Sequence, residues 1–159
     1  MIYKTSKYAS GPSGFLLYEV SRLLRRNFMR RAQDLGLTQA QCRALLYLGR
    51  HEGARQVDVA EALEIQPITL ARIIDQLSEA GLVERQHCPD DRRAFRLFLT
   101  PAAKPVMAKI RALVESTWED AIGGIGEARM TQLFKTLQDL KLNLLAAEPA
   151  AAEKEPAHV

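Results

Sequence analysis

Two consecutive stretches, "QVDVAEALEIQPITLARIIDQLSEAG" (56–81) and "LVERQHCPDDRRAFRLFLT" (82–100), leave this chain few ways to fold. In the first, Val57, Ala60 and Leu63 recur at helical spacing, and Leu70, Ile73, Ile74 and Leu77 form a second apolar stripe. Between them "EIQP" breaks the chain, and Pro67 suits the first position of a new helix, where a missing N–H costs nothing. Gly81 is placed to end that helix in the left-handed conformation. In the second stretch "LVERQ" and "AFRLFL" alternate or nearly so around "CPDDRR", a turn composition, which predicts a β-hairpin. Just upstream, Thr38 and Gln41 have capping-box spacing for a helix that buries Ala44, Leu45 and Leu48 and ends at Gly53. Three compact helices followed by a hairpin predict a winged helix-turn-helix lobe over residues 38–99.

Amphipathic helices flank this lobe. From 14 to 34, Leu16, Val20 and Leu23 lie at helical spacing, as do Leu17, Leu24 and Phe28. Arg22, Arg25, Arg26 and Arg30 make a basic stripe on another face, which is either a solvated face or a contact for phosphates beside a DNA site. Thr100 and Pro101 open a long helix carrying Val106, Ile110, Leu113, Val114 and Trp118. Pro105, read as lying in its second turn, predicts a late start or a kink. After "GGIG", Met130, Leu133, Phe134, Leu137, Leu140 and Leu144 mark a last helix, and the tail 147–159 has too little to bury to be ordered. The predicted fold is mainly α with a small β-hairpin wing (α+β), in one domain spanning 1–159. Segments 14–34 and 101–146 carry apolar faces too wide for one lobe to cover, which predicts a homodimer.

Several classes of function fit poorly. No apolar run approaches the ~18 residues of a membrane span, and the first fifteen residues lack the apolar core of a secretory signal. Cys42 and Cys88 are 46 positions apart, usage that suits a reducing cytoplasm, the expected location. His51, His87 and His158 show no metal-ligand spacing, and no phosphate loop or nucleophile motif occurs. The chain is therefore read as a non-enzyme without metal or cofactor. The net charge of +3 hints at an anionic partner. The distribution complicates it: residues 1–50 hold nine Lys/Arg against two acids, whereas 55–96 hold six Arg against eight acids.

The second helix of a helix-turn-helix enters the DNA major groove with its N-terminal residues nearest the bases. Setting aside the apolar face leaves Gln66, Ile68, Thr69, Arg72, Asp75 and Gln76 outward, with Pro67 at the helix start. Gln66 suits adenine, Ile68 or the Thr69 methyl suits a thymine methyl, and Arg72 suits guanine or a phosphate. Gln76 lies one turn further along the same face. A hairpin beside such a helix reaches the neighbouring minor groove, whose negative potential attracts arginine. Arg92 or Arg93 is then the reaching tip, and Asp91 holds the guanidinium in pose by a bidentate hydrogen bond.

The stretch 37–100 resembles the MarR family of bacterial transcription regulators. The segments carrying the likeness are "LTQAQCRALLYL", "QVDVAEAL", "ITLARIIDQLSEAGLVER" and "PDDRRAFRLFLT", with the wing motif D-x-R at Asp91–Arg93. The segment "IQPITLARIIDQL" is most similar to the SlyA-like branch, and the flanking helices extend the match over about 14–145. The resemblance implies an obligate homodimer that binds double-stranded DNA at an inverted repeat. It further implies a repressor released by a small aromatic acid or phenol, held in a cleft where Tyr18 and Arg22 offer an aromatic and a guanidinium. Two departures stand out: Cys88 replaces a residue that is often Asp or polar, and Pro105 interrupts the start of the linking helix. Two alternatives stay open: redox sensing through Cys42 or Cys88, and a protein-interaction module that does not touch DNA.

Overall fold

The computed structural model describes residues 12–87 and 95–152, with side chains over 14–87 and 95–147. The chain divides into two compact units, Met1–Trp118 and Glu119–Val159.

The first unit opens with α1 (Pro12–Arg31), followed by a 3₁₀ turn at Gln33–Leu35. Helix α2 (Gln39–Leu48) starts at the predicted capping box: the Gln41 N–H donates to Thr38 Oγ1 at 3.3 Å, and the Thr38 N–H donates to Gln41 Oε1 at 2.7 Å. It ends at Leu48 with Gly49 as cap, earlier than the Gly53 expected from the sequence. Gly53 instead adopts φ +76°, and a Cβ there would lie 3.2 Å from the Phe98 ring. Only glycine fits that left-handed position so close to an aromatic edge. The bend at Gly53 feeds β1 (Ala54–Arg55), a short strand absent from the sequence reading.

Helices α3 (Gln56–Ala62) and α4 (Pro67–Glu79) form the helix-turn-helix pair. The turn between them places Glu64 at φ 54° and closes with Ile65 N–H donating to Ala60 O at 3.0 Å. Pro67 occupies the first turn of α4 as expected. Gly81 is left-handed at φ +69°, and the bonds Gly81 N–H to Ser78 O and Leu82 N–H to Leu77 O complete a Schellman closure. Strands β2 (Val83–His87) and β3 (Phe95–Leu99) pair antiparallel, and β1 adds to the far side of β3, giving the order β1-β3-β2. The strands of the expected hairpin thus belong to a three-stranded sheet in which β3 is central.

Leu45, Leu48, Leu70, Ile74, Leu77, Leu97 and Ile110 are fully buried, so α2, α4, β3 and α5 (Ala103–Ile122) share one core. Fully burying each such side chain contributes about 1.5–3 kcal/mol. One core assignment is corrected: Val57 is exposed, and Val59 joins Ala60 and Leu63 on the buried face of α3. With Val59, Ala60 and Leu63 setting the buried face of α3, Val57 at its N-terminal end is left in solvent. Helix α5 starts late, at Ala103, which puts Pro105 in the first turn rather than the second. No hydrogen bond is lost there, because the first four N–H groups of a helix have no intrahelical partner.

The second unit contains the end of α5, a glycine turn with Gly124 at φ +79°, and α6 (Glu127–Ala152). Helix α6 continues through 147–152, where the sequence reading placed disorder. Alanine has the highest helix propensity, and Ala146, Ala147 and Ala150–Ala152 carry the helix on despite Pro149. Residues 153–159 lie outside the described residues. Among those described, no side chain of α6 is fully buried; Phe134 and Leu144 are 63% and 68% exposed. No helix is long and apolar enough to cross a membrane.

Candidate nucleic-acid interface

Helix α4 has two faces. Leu70, Ile73, Ile74 and Leu77 hold it on the core, which turns Gln66, Pro67, Ile68, Thr69, Arg72, Asp75 and Gln76 outward. Ile68 is 72% exposed. An apolar side chain this open near the start of a helix suits contact with another molecule better than packing within the lobe. Among the described residues Arg72 forms no hydrogen bond or ion pair, so its guanidinium is available to an anion or a base edge.

Two polar links fix this face. Gln41, already part of the α2 capping box, donates from Nε2 to Gln76 Oε1 at 3.0 Å. From β2, Arg85 reaches α4 twice: Nη1 pairs with Asp75 Oδ1 at 2.7 Å, and Nη2 donates to the Ala71 carbonyl at 3.2 Å. Its Nε donates to Gln56 Oε1, the first residue of α3, at 3.3 Å. Sequence reasoning left Asp75 among the free outward residues and missed Arg85 and Gln56. The signal was present in the strand alternation, since Arg85 lies two residues from buried Val83 and shares its face of the sheet.

Two of the eight acids of 55–96 are engaged by arginines of the same stretch, which leaves its net charge unchanged. Asp75 is engaged by Arg85, and Asp58 accepts from Arg55 Nε and Nη2 at 2.9 and 2.7 Å. The side-chain hydrogen bond from Arg55 holds the Asp58 carboxyl below its ordinary range. At the base of the wing the rings of His87 and Phe95 meet at 4.6 Å across the β2–β3 pair. The tip, with Cys88, Asp91, Arg92 and Arg93, lies outside the described residues.

Helices α1, α2 and α5 line an open cavity of about 380 Å³. Its walls are apolar, from Leu24, Phe28, Cys42, Leu46, Val114 and Trp118, with Arg25 and Arg43 also bordering it. Helix α5 contributes Val114, Thr117 and Trp118, from its middle. Tyr18 and Arg22 are not on the cavity walls; Tyr18 is exposed, its ring 6.5 Å from that of Phe15. Cys42 is 1% exposed, and burial pushes its thiol pKa up. Arg43 donates from Nη2 to the Leu63 carbonyl at 3.1 Å, so a cavity residue holds the C-cap of α3 beside the Glu64 turn. Among the described residues no group of His, Cys, Asp or Glu is arranged to hold a metal ion.

Comparison with known proteins agrees with this geometry. The family model described as the MarR family matches residues 35–94. The chain is similar to the crystal structure of the transcriptional regulator PA3341, at 36% identity over 84% of this chain and 98% of that one, with a TM-score of 0.75. It is similar also to a crystal structure of MarR, at 26% identity over 86% and 99% of the two chains, TM-score 0.74. A third similar structure is BpsR of Bordetella bronchiseptica, described in terms of the regulation of its DNA binding by 6-hydroxynicotinic acid. It is 25% identical over 82% of this chain and 99% of that one, TM-score 0.72.

Proposed function

This chain belongs to the MarR family of transcription regulators, and from that premise we propose that it works as a homodimeric repressor bound to an inverted repeat. The observation that carries the reading is the outward face of α4, where Ile68, Thr69 and Arg72 stand exposed on a helix seated on the core. Gln66, Pro67 and Gln76 extend the same surface. In a two-fold dimer two such helices enter successive major grooves, with half-site centres about one helical turn apart, ~10 bp. Dimerisation is supported by the apolar residues that α1 leaves open, with Phe15, Leu16 and Leu17 each more than half exposed, and by those of α6.

At the wing tip Arg92 or Arg93 enters the adjacent minor groove, and Asp91 orients the guanidinium. If so, Asp91→Ala weakens DNA binding although it removes a negative charge.

Ligand control is the second part of the reading. The apolar cavity with Arg25 and Arg43 beside it suits a small aromatic acid, the chemical class that regulates DNA binding of the similar BpsR. Tyr18 and Arg22 lie off the cavity walls, so the grip on a carboxylate falls to Arg25 and Arg43. Because Arg43 also holds the Leu63 carbonyl, a carboxylate that draws its guanidinium inward loosens the turn leading to α4. The test of the whole reading is selection of bound duplexes from random DNA, followed by titration at several salt concentrations. A recovered inverted repeat supports it; binding of all sequences alike would count against it.

A further inference from the structure

We propose that Arg85 is a positioning residue for DNA recognition, setting the angle between wing and recognition helix without itself touching DNA. The inference rests on the DNA-binding reading above and adds to it a residue that the readout face does not contain.

Three observations carry it. First, Arg85 lies on the inner face of β2, in register with Leu97 of β3 and two residues from buried Val83. A guanidinium on the packed face of a sheet points at the neighbouring layer, not at solvent. Second, all three of its nitrogens are used, on Asp75 (2.7 Å), the Ala71 carbonyl (3.2 Å) and Gln56 (3.3 Å). Ala71 and Asp75 are one turn apart on α4, and Gln56 begins α3, so a single side chain ties β2 to both helices of the pair. Third, the tied residues alternate with the readout residues: Ala71 adjoins Arg72, and Asp75 adjoins Gln76.

These contacts fix two things at once. Holding Ala71 and Asp75 against β2 prevents rotation of α4 about its axis, which would swing Arg72 off the bases. Holding β2 against α4 sets where the wing strands lead. Planar guanidinium geometry matters here, because three partners in different directions need the fork of arginine and not the point charge of lysine. The Arg85 side chain is 26% exposed but that of Asp75 is 54% exposed, so solvent screens the pair and its role is geometric rather than a source of stability.

A positioning role and a direct DNA contact predict different results. The probes are the best duplex selected by the wild-type protein and a scrambled duplex of equal length. The proteins are full-length wild type, Arg85→Gln, Arg85→Lys, Asp75→Asn and the Arg85→Gln/Asp75→Asn double variant, each with its melting temperature recorded. Arg85→Gln should lower affinity for the selected duplex about tenfold and leave scrambled-duplex affinity and salt slope unchanged. Asp75→Asn should weaken selective binding too, although it removes a negative charge. The double variant should be no worse than Arg85→Gln, and Arg85→Lys should restore only part of the loss.

Three results would overturn the inference. One is a salt slope lower by about one for Arg85→Gln with both duplexes weakened alike, the mark of a phosphate contact. Another is equal or tighter selective binding by Asp75→Asn. The third is a lowered melting temperature with selectivity intact, the mark of a purely structural pair. Failure of the wild-type protein to select any duplex would instead defeat the DNA-binding reading itself, and this inference with it.

Discussion

Gln41 donates a 3.0 Å hydrogen bond from Nε2 to Oε1 of Gln76, while its own Oε1 accepts from the backbone N–H of Thr38. One buried side chain therefore closes the N-terminus of α2 and steadies the outward face of α4. Thr38→Ala removes only the cap and is expected to reduce stability by about 1 kcal/mol, read from the urea midpoint. Gln41→Ala removes both links and should cost more than Thr38→Ala, with a loss of DNA selectivity that Thr38→Ala does not share. Equal effects of the two variants on selectivity would remove the bridge to Gln76 from the account.

Glu64 occupies the left-handed region at φ 54° in the turn between α3 and α4. For an L-residue that conformation costs roughly 1–2 kcal/mol, which glycine escapes, although glycine also loses more freedom on folding. Glu64→Gly is expected to stabilise the protein by up to about 1 kcal/mol, seen as a higher urea midpoint. A lower midpoint would mean that the Glu64 side chain contributes more than the strain it imposes.

Much of this fold was legible in the residues. The helix-turn-helix pair announced itself through Pro67, the Leu70–Leu77 stripe and Gly81, because caps and periodicity are local properties. The outward set on α4 followed from the same periodicity. What escaped depends on contacts distant in sequence. Strand β1 is two residues long and exists only because β3 pairs with it. Asp75 read as a free acid because its partner, Arg85, arrives from another element. Val57 kept helical spacing with Ala60 and Leu63, yet the face that packs on the lobe is centred on Val59, Ala60 and Leu63 and leaves it in solvent. Arg25 and Arg43 were not singled out beside the cavity, since no spacing rule shows which arginine of a helix borders one.

Arg43 borders the cavity and bonds the Leu63 carbonyl, so it is expected to carry coupling between an aromatic acid and DNA. With salicylate as probe, a tenfold loss of DNA affinity corresponds to about 1.4 kcal/mol, and DNA must weaken salicylate by the same factor. Arg43→Met should reduce that factor to less than about twofold at saturating salicylate. An undiminished factor in the variant would place the coupling elsewhere.

Burial raises the Cys42 thiol above its ordinary value of 9.0, and a backbone hydrogen bond only partly offsets this. The folded chain keeps this proton to higher pH than the unfolded chain does. Its contribution to stability is therefore complete below the ordinary value and is lost as pH rises through it toward the folded value. In a Cys88→Ser background, Cys42→Ala should lose less stability than the parent between about pH 8 and pH 10, by urea unfolding. Alkylation of Cys42 in the folded parent should be slow at neutral pH. Parallel pH profiles with rapid alkylation would reopen redox sensing through Cys42.

The central claim is that α4 reads DNA sequence through its outward face, and Arg72→Ala tests it most directly. Binding of wild type and variant is measured on the selected duplex, on duplexes altered singly at each position, and across a range of salt. The account predicts a loss of about 1–3 kcal/mol on the selected duplex with relaxed preference at one position in each half-site. Unchanged affinity and unchanged preference at every position would contradict it.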